Sequence, residues 1–328
     1  MTLPIAVDAM GGDHAPAAIV QGCVTAKRDH GIDVVLVGRP EALEGLDLGG
    51  LDVVAASEVI EMAEDPGKGV RTKKDSSLVR AAELVRDGKA AAMVSAGNTG
   101  ATMASALLRM GRIKGVSRPA IVTPIPSPLS DRVTALLDAG ANAECSAEML
   151  GQFAVMGSAW FRARYGDERP RVGLLSIGEE PGKGDPLRKE AYKVLEGLDL
   201  DFIGNVEGRD VMTDDVDVVV TDGFTGNVTL KSLEGSMRAM STAVTGLLLG
   251  TDEAKQASAS LLPGFLALAA RMDPETNGGA MLLGVGGVCT ISHGSSSARA
   301  ITNAVRTTQD LVAGDLVAAL AEAVRPAA

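Results

Sequence analysis

Aromatic residues and cysteines are scarce in this chain of 328 residues. Phe, Trp and Tyr make up only 2% of it, whereas hydrophobic residues make up 46%. A core of ordinary size must therefore be built from Val, Leu, Ile, Ala and Met. Cys23, Cys145 and Cys289 lie far apart and show no CxxC spacing. This pattern argues against a disulfide framework and favours a reducing compartment.

Long apolar runs and targeting signals are also missing from the sequence. No uncharged apolar run approaches the roughly 18 residues that a membrane span requires. Residues 1–10 lack a basic start and contain Asp8, so we interpret them as a strand and not as a signal peptide. We therefore expect a cytoplasmic protein.

Positive charge is in deficit, because 31 Lys and Arg stand against 42 Asp and Glu, giving a formal net charge of −11. An acidic chain is a poor general binder of nucleic acid, since phosphate contacts need clustered cations. Two local basic clusters do occur. The first comprises Arg71, Lys73 and Lys74, and the second comprises Arg109, Arg112, Lys114 and Arg118.

The motifs of several enzyme classes are absent. The histidines are His14, His30 and His293, with no HExxH or paired-ligand spacing, so we expect no metal. The sequence contains no GxSxG motif, so a serine esterase is not supported. No GxGxxG follows a predicted strand, which disfavours a dinucleotide site, and we expect no cofactor.

Short apolar runs alternate with helical patterns along the chain. Most of the runs show no polar alternation, which is typical of strands covered on both faces by helices. The sequence therefore predicts an α/β fold with an open, doubly wound, mostly parallel sheet. The predicted strands are residues 5–9, 34–37, 53–56, 91–95, 120–123, 134–138, 172–177, 202–205 and 216–221.

No linker or internal repeat divides the chain, so we expect one domain over residues 1–328, or two intimately joined lobes. Residues 223–272 are mostly helical, and Pro263 with Gly264 predicts two helices that meet at a bend. Asp13 is the predicted N-cap of the first helix, which Gly31 ends. Asp75 or Ser76 is predicted to cap a later helix.

Five predicted strands are followed by segments suited to chemistry. Ligands of open α/β sheets bind at the carboxyl ends of strands, so we expect these segments to form one site. They contain Asp8, Gly11, Gly12 and Asp13; Ser95, Gly97, Asn98, Thr99 and Gly100; Lys183; Glu207; and Asp222 with Asn227.

Residues 95–100, Lys183 and His293 each have a specific chemical interpretation and an ordinary alternative. Residues 95–100 combine glycines, hydroxyls and a helix start, which suits an anion, although a plain turn has the same composition. Lys183 suits a phosphate or a carbonyl, but the alternative is a surface lysine. Its loop is not a P-loop, since Gly184 stands where Ser or Thr would hold magnesium. His293 is either an acid/base or anion donor, or part of a capping loop.

Taken in order, these segments resemble the PlsX-type phosphate acyltransferases. The resemblance runs from residue 5 to about residue 305, and the ordered set is highly specific. The matching segments are IAVDAMGGD (5–13), EVI (58–60), RTKKDSS (71–77), SAGNTGA (95–101), GRIKG (111–115), DAGAN (138–142), GNVE (204–207), DGFTGNVTLK (222–231) and HGSS (293–296). One departure is Ser176, where the family pattern has Asn.

The resemblance implies a fold similar to phosphotransacetylases and to isocitrate- or isopropylmalate-type dehydrogenases. It implies reversible acyl transfer from acyl carrier protein to inorganic phosphate, which feeds phospholipid synthesis through a membrane glycerol-3-phosphate acyltransferase. It also implies a homodimer that works without a metal and contacts the membrane peripherally. The alternatives are an acyl-CoA-dependent phosphotransacetylase, an inactive membrane-recruiting scaffold and, least favoured, a nicotinamide-dependent dehydrogenase.

The resemblance also suggests roles for individual residues. Lys183 and Asn227 are the catalytic candidates, and Arg71 and Lys73 assist residues 95–100 with phosphate. By composition alone, Arg109, Arg112, Lys114 and Arg118 are candidates for a carrier-protein dock. The apolar residues 261–268 are predicted to serve the dimer interface, an acyl groove or the membrane surface.

Overall fold

The computed structural model describes residues 3–325, and a single sheet of eleven strands organises them. In chain order the elements are β1 (Ile5–Asp8), α1 (Ala17–His30), β2 (Val34–Gly38), α2 (Pro40–Leu43), β3 (Asp52–Ala55), α3 (Pro66–Thr72), α4 (Ser77–Arg86), β4 (Ala92–Ser95), α5 (Thr99–Arg109), β5 (Ala120–Pro126), β6 (Val133–Leu137), α6 (Ala147–Tyr165), β7 (Arg171–Leu175), α7 (Pro186–Glu196), β8 (Asp201–Val206), β9 (Val218–Val220), α8 (Gly223–Leu249), α9 (Asp252–Ser258), α10 (Leu262–Arg271), β10 (Ala280–Leu283), β11 (Val288–Ile291), α11 (Ala298–Ala313) and α12 (Leu316–Ala323).

The sheet consists of two parallel halves that run in opposite directions. Its strand order is β3-β2-β1-β4-β11-β10-β5-β6-β9-β7-β8. The strands from β3 to β11 pair in parallel, and so do those from β6 to β8. The three pairings between them, β11–β10, β10–β5 and β5–β6, are antiparallel. The carboxyl ends of the two halves therefore lie at opposite edges of the sheet.

The predicted mostly parallel α/β fold is confirmed, and each of the nine predicted strands overlaps a strand of the structure. β10 and β11 were not predicted. Both are only four residues long, and both lie in the glycine-rich stretch from residue 278 to residue 291. Glycine-rich sequence of this kind is more typical of loops than of strands.

Two cores cover the two faces of the sheet, as alternation along β1 shows. Ile5 and Val7 pack into a core shared with α1, α6, α11 and α12, whereas Ala6 packs into the core beneath α4 and α5. The first two turns of α8 join this second core through Leu230. A sheet with helices on both faces is thus established by side chains that alternate between the faces.

The helical segment 223–271 differs from the prediction. It contains three helices, and the chain turns at residues 250–251 and 259–261. The predicted bend at Pro263 and Gly264 is wrong, because Pro263 lies in the first turn of α10, where proline is tolerated. None of the described helices is both long and apolar enough to cross a bilayer.

Three cap predictions are settled by the structure. Asp13 does not cap α1, because that helix begins at Ala17 and its N-cap is Pro16, without a side-chain hydrogen bond. Gly31 does end α1 in the left-handed region, with a φ of 67°. Of the two candidates for α4, Ser76 is the cap, since its hydroxyl accepts from the backbone N of Val79.

Candidate functional site

A cleft of about 550 Å³ opens on the α4–α5 face of the sheet, between the start of α5 and the side of α8. Alternate residues of β5, namely Ile121, Thr123 and Ile125, form its floor, together with Ala280 of β10 and Ile291 of β11. A concave, mostly apolar pocket with a few polar groups is the usual form of a small-molecule site.

One end of the cleft is built from the turns after β1 and β4, which a buried hydrogen-bond chain ties together. The Ser95 hydroxyl donates to Asp8 Oδ2 at 2.8 Å and accepts from the backbone N of Gly97 at 3.0 Å. Burial raises the pKa of Asp8 above its ordinary value, although hydrogen bonds from neighbouring groups act against this. A Cβ on Gly11 would lie 2.6 Å from the Gly97 nitrogen. Asp8, Gly11 and Ser95 therefore position the turn.

Asn98 and Gly100 also serve the shape of this turn. Asn98 Oδ1 caps α5 by accepting from the backbone N of Ala101 at 3.0 Å, and its Nδ2 donates to two carbonyl oxygens in the loop before α3. A Cβ on Gly100 would lie 2.7 Å from Pro66 Cγ, so α3 can approach only a glycine here. Of the predicted phosphate-binding residues, Gly97 and Thr99 line the cleft.

The two predicted phosphate cations lie outside the cleft lining. Lys73 Nζ donates to the carbonyl of Val59 at 2.7 Å and to Glu64 Oε2 at 2.6 Å, so it holds the loop before α3. That ion pair lowers the pKa of Glu64. Arg71 is exposed at the end of α3. The cations that do line the cleft are Lys231 and Arg238.

Lys231 and Arg238 were not predicted as site residues, although their spacing in the sequence indicates a shared helix face with Asn227. Asn227, Lys231, Glu234 and Arg238 follow one another at spacings of four, three and four along α8. Residues at this spacing share one face of a helix. All four line the cleft, and Lys231 Nζ donates to Glu234 Oε2 at 2.8 Å.

The loop after β11 brings His293 to the same end of the cleft. The backbone N of Asp13 donates to the carbonyl of Gly294 at 2.8 Å, and a Cβ on Gly12, whose φ is 107°, would lie 3.0 Å from that oxygen. His293 Nδ1 lies 2.9 Å from Ser295 Oγ and accepts from the backbone N of Ser295 at 3.4 Å. With Nδ1 an acceptor, Nε2 of the neutral ring carries the proton and can donate to an anion.

The opposite end of the cleft is formed by the loop after β6, which Asp138 organises. Its Oδ1 accepts from the backbone N of Ile121, Gly140 and Ala141 at 2.9 to 3.1 Å. Its Oδ2 accepts from the backbone and side-chain nitrogens of Asn142. Asp138 is fully buried, and burial raises its pKa. This carboxylate therefore fixes the 138–142 loop beside the start of β5.

Asp222 has a structural role at the beginning of α8. It caps the helix by accepting from the backbone N of Thr225 at 2.9 Å and forms a buried ion pair with Arg188. Burial raises the pKa of Asp222, but hydrogen bonds from Thr225 and Arg188 outweigh burial and leave it below its ordinary value. Asp222 stays ionised here and aligns the first turn of α8.

Asn227 lies on the next turn of α8 and faces the cleft. Its Nδ2 donates to the carbonyl of Ala139 at 3.2 Å, which leaves one N–H for another acceptor. The sheet order separates it from the other end: the 97–99 turn follows β4, Asn227 contacts the loop after β6, and β11, β10 and β5 lie between these two strands. Asn227 and the Gly97–Thr99 turn therefore lie at opposite ends of one cleft.

Lys183 and Glu207 follow β7 and β8, at the same sheet edge as Asp222. The Lys183 side chain is 51% exposed, with Nζ 4.0 Å from Glu180 Oε2, and Glu207 pairs with Arg209 at 2.7 Å. Neither residue lines the cleft. The expectation that all the segments gather at one edge is wrong, because the antiparallel strands in the middle of the sheet reverse the second half. Only Asn227 bridges the two groups.

The predicted carrier-protein dock divides into two pairs of residues. Arg109 Nε lies 3.6 Å from Glu83 Oε1, and the Arg112 guanidinium donates to the carbonyl of Ser117. Lys114 and Arg118 are exposed, and neither forms an ion pair within the described part of the chain. The segment adjoins the Asn227 end of the cleft, since Asn142 Nδ2 donates to the carbonyl of Pro119 at 2.8 Å.

Solved structures define the class to which this fold belongs. A phosphotransacetylase from Streptococcus pyogenes superposes with a TM-score of 0.59 and 18% identity, covering 98% of this chain and 94% of that chain. A branched-chain phosphotransacylase from Enterococcus faecalis V583 gives a TM-score of 0.61 and 16% identity, covering 94% and 99%. The fold is therefore that of the phosphotransacetylases.

Sequence relatives narrow the class to a family. The chain is 50% identical over 315 residues to a phosphate acyltransferase of Elusimicrobium minutum, covering 94% of this chain and 92% of that protein. It is 47% identical over 325 residues to one from Heliobacterium modesticaldum, covering 97% and 96%. The family model described as "Fatty acid synthesis protein" matches residues 3–319. The chain belongs to this family, the PlsX-type phosphate acyltransferases, and is an acyltransferase.

Proposed function

We propose that the chain transfers a fatty acyl group from acyl carrier protein to inorganic phosphate in the cytoplasm and so supplies acyl phosphate for phospholipid synthesis. A phosphate oxygen forms a bond to the thioester carbon while the carbon–sulfur bond breaks, and the carrier leaves as a thiolate that takes up a proton. The reverse reaction follows the same path. One observation supports this most directly: a single cleft joins an anion-accepting helix start to Asn227 across an apolar floor.

Phosphate is the nucleophile, so the protein needs only to position two substrates and stabilise an oxyanion. The N-terminus of α5 at Thr99 and Nε2 of His293 suit the phosphate, and the free N–H of Asn227 suits the thioester carbonyl. Reacting atoms must come within about 3.5 Å of each other. Because three strands lie between those that carry the two ends of the cleft, the cleft must narrow, by movement of α8 with its cations toward α5.

Formation of acyl phosphate is the direct test of this function. Purified protein is mixed with palmitoyl-carrier protein and phosphate, with or without a chelator, and the products are measured by mass spectrometry. We expect acyl phosphate and free carrier thiol in equal amounts, unchanged by the chelator. Palmitoyl-CoA serves as the competing donor. Preference for the CoA thioester would replace the carrier-protein assignment, and absence of acyl phosphate from both donors would refute the proposed function.

The acidic carrier protein needs a local basic surface on this acidic enzyme, and we place it at Lys114 and Arg118. Replacing both with Glu is expected to raise the KM for the carrier-protein donor about tenfold or more at low salt, because steering by opposite charges is lost. KM should also become less sensitive to salt, since little attraction remains to be screened. Steady-state kinetics at two ionic strengths measure both effects.

A matched charge change distinguishes the dock from net charge. Lys189 and Lys193 are exposed on α7, and replacing both with Glu changes the net charge by the same amount. This control should keep its KM close to that of the wild type. Equal KM increases in the two double variants would mean that net charge alone matters. An unaffected KM in the Lys114/Arg118 variant would move the dock elsewhere, first to the segment around Arg71.

We propose that α9 and α10 contact either the membrane surface or a second copy of the chain. No residue of α10 is buried, and Leu261 is 68% and Leu266 52% exposed. An apolar helix surface of this kind suits either a shallow interfacial position or a dimer interface. We also propose that the chain forms a homodimer and contacts a membrane glycerol-3-phosphate acyltransferase.

Replacing Leu261 and Leu266 with Glu tests the two uses of this surface. If the surface meets the membrane, pelleting with anionic liposomes should fall at least about tenfold while the dimer and soluble activity persist, because charges are costly in the apolar layer. If it forms the dimer, sedimentation equilibrium should show a monomer first, because charges would be buried without partners. Unchanged pelleting together with an unchanged dimer would refute both uses.

A further inference from the structure

The middle of the cleft is an apolar groove between α8 and β5. Leu230, Leu233 and Met237 lie at spacings of three and four, so they form one stripe along α8, and all three line the cleft. Ile121 and Ile125 face this stripe from the floor. The polar stripe of Asn227 and Lys231 runs beside it. The side of α8 that faces the cleft thus carries an apolar stripe and a polar stripe next to each other.

Thr123, between the two isoleucines, also presents an apolar group. Its hydroxyl oxygen is buried and has no hydrogen-bond partner in the described part of the chain, although the residue lines the cleft. The part of the side chain that faces the groove is therefore its methyl group. A buried hydroxyl without a partner is unfavourable.

Residues 261–268, the acyl-groove candidate from sequence, do not line this cleft. We infer that the groove between Ile121, Ile125, Leu230, Leu233 and Met237 holds the unbranched acyl chain of the substrate. This inference rests on the proposed function. In this arrangement the thioester carbonyl of the substrate lies at Asn227, and its acyl chain runs along β5 toward Met237.

The length of the groove limits how many carbons of the acyl chain it can cover. The four residue steps from Ile121 to Ile125 span about 13 Å. A zigzag chain advances about 1.2 Å per bond, as the extended backbone does. The floor therefore covers roughly ten carbons, and a longer tail extends toward Pro126 and Met272, which also line the cleft.

Binding of n-alkyl phosphates with six to fourteen carbons, measured by titration calorimetry, tests this assignment without catalysis. Each methylene up to about the tenth should tighten Kd about fourfold, which corresponds to about 0.8 kcal/mol, and longer chains should add little. Decyl phosphate should thus bind about 200-fold more tightly than hexyl phosphate. Leu233→Glu and Met237→Glu should each reduce this ratio to below about tenfold.

Two further variants provide the controls. Leu129 is 73% exposed outside the cleft, and Leu129→Glu should retain the full ratio. Met237→Gln removes the apolar end without adding charge and should also lower the ratio, so that it replaces Met237→Glu if that protein fails to fold. Thr123→Val keeps the shape of the floor and should raise Tm, because it removes the unpaired hydroxyl.

A wild-type Kd that is independent of alkyl-chain length would overturn the inference. So would Leu233 and Met237 variants that keep the wild-type ratio between the Kd values of hexyl and decyl phosphate. Acyl phosphate formation distinguishes this failure from failure of the proposed function. Acyl transfer without a chain-length effect on Kd would refute the groove alone. A chain-length effect that the Leu233 and Met237 variants abolish, without acyl transfer, would refute the function and retain an alkyl-binding groove.

Discussion

Replacing Asn227 with alanine is expected to lower kcat by about 100-fold to 1000-fold, because one hydrogen bond to the developing oxyanion is lost. An interaction made mainly in the transition state should lower kcat and kcat/KM together and leave KM almost unchanged. Stopped-flow detection of the released carrier thiol measures both constants. The fold should persist, since only the 3.2 Å hydrogen bond to Ala139 is lost.

Gln256→Ala is the matched control for Asn227→Ala, because it removes an exposed amide from α9, outside the cleft lining. It should leave kcat unchanged. A kcat within about threefold of wild type for Asn227→Ala would remove this residue from the catalytic assignment. Lys183→Ala measured beside it shows whether the 178–184 loop reaches the substrate: a loss of similar size requires the loop to move into the cleft, and a normal kcat would exclude Lys183.

Replacing Gly226 with alanine is expected to reduce the free energy of unfolding by about 3 kcal/mol, and activity with it. A Cβ at this position would lie 1.9 Å from the carbonyl oxygen of Asp138, which is backbone and cannot turn aside. The start of α8 would have to move away from the 138–142 loop, and Asn227 would move with it. Urea unfolding gives the stability change, and thiol release gives the activity.

Gly235 lies nine residues further along α8, and alanine there is expected to have the opposite effect on stability. A Cβ there meets no atom within 4 Å, and the residue is exposed. Gly235→Ala should therefore stabilise the protein by up to about 1 kcal/mol, because alanine loses less backbone entropy in a helix. Equal stability of the two alanine variants would mean that α8 does not approach the 138–142 loop this closely.

The identity of the site residues was easier to predict than their roles. Sequence reasoning selected Ser95, Asn98 and Asp222 because polar residues after buried strands often bind ligands. In the structure the side chains of all three form hydrogen bonds within the protein: Ser95 with Asp8, Asn98 with the loop before α3, and Asp222 with α8 and Arg188. Whether a side chain faces a ligand or its own loop depends on neighbours distant in sequence.

The sequence by itself determined the local and periodic features of this protein. Continuous apolar runs fix buried strands, Gly31 and Ser76 fix the ends of helices, and the ordered motifs fix the family. Each strand, helix cap and motif can be recognised in the sequence because it depends on residues that are close together in the chain.

Only the tertiary structure decided where the two halves of the sheet point. β10 and β11 are short and glycine-rich, yet the antiparallel pairings of β10 and β5 reverse the second half of the sheet and carry Lys183 away from the Gly97–Thr99 turn. α8 packs against this part of the sheet through Leu230, and the cleft lies between α8 and the start of α5. The β5–β6 and β10–β11 pairings join strands that are neighbours in sequence, but the β10–β5 pairing joins residues more than a hundred positions apart, such as Val122 and Met281, and no local pattern encodes it.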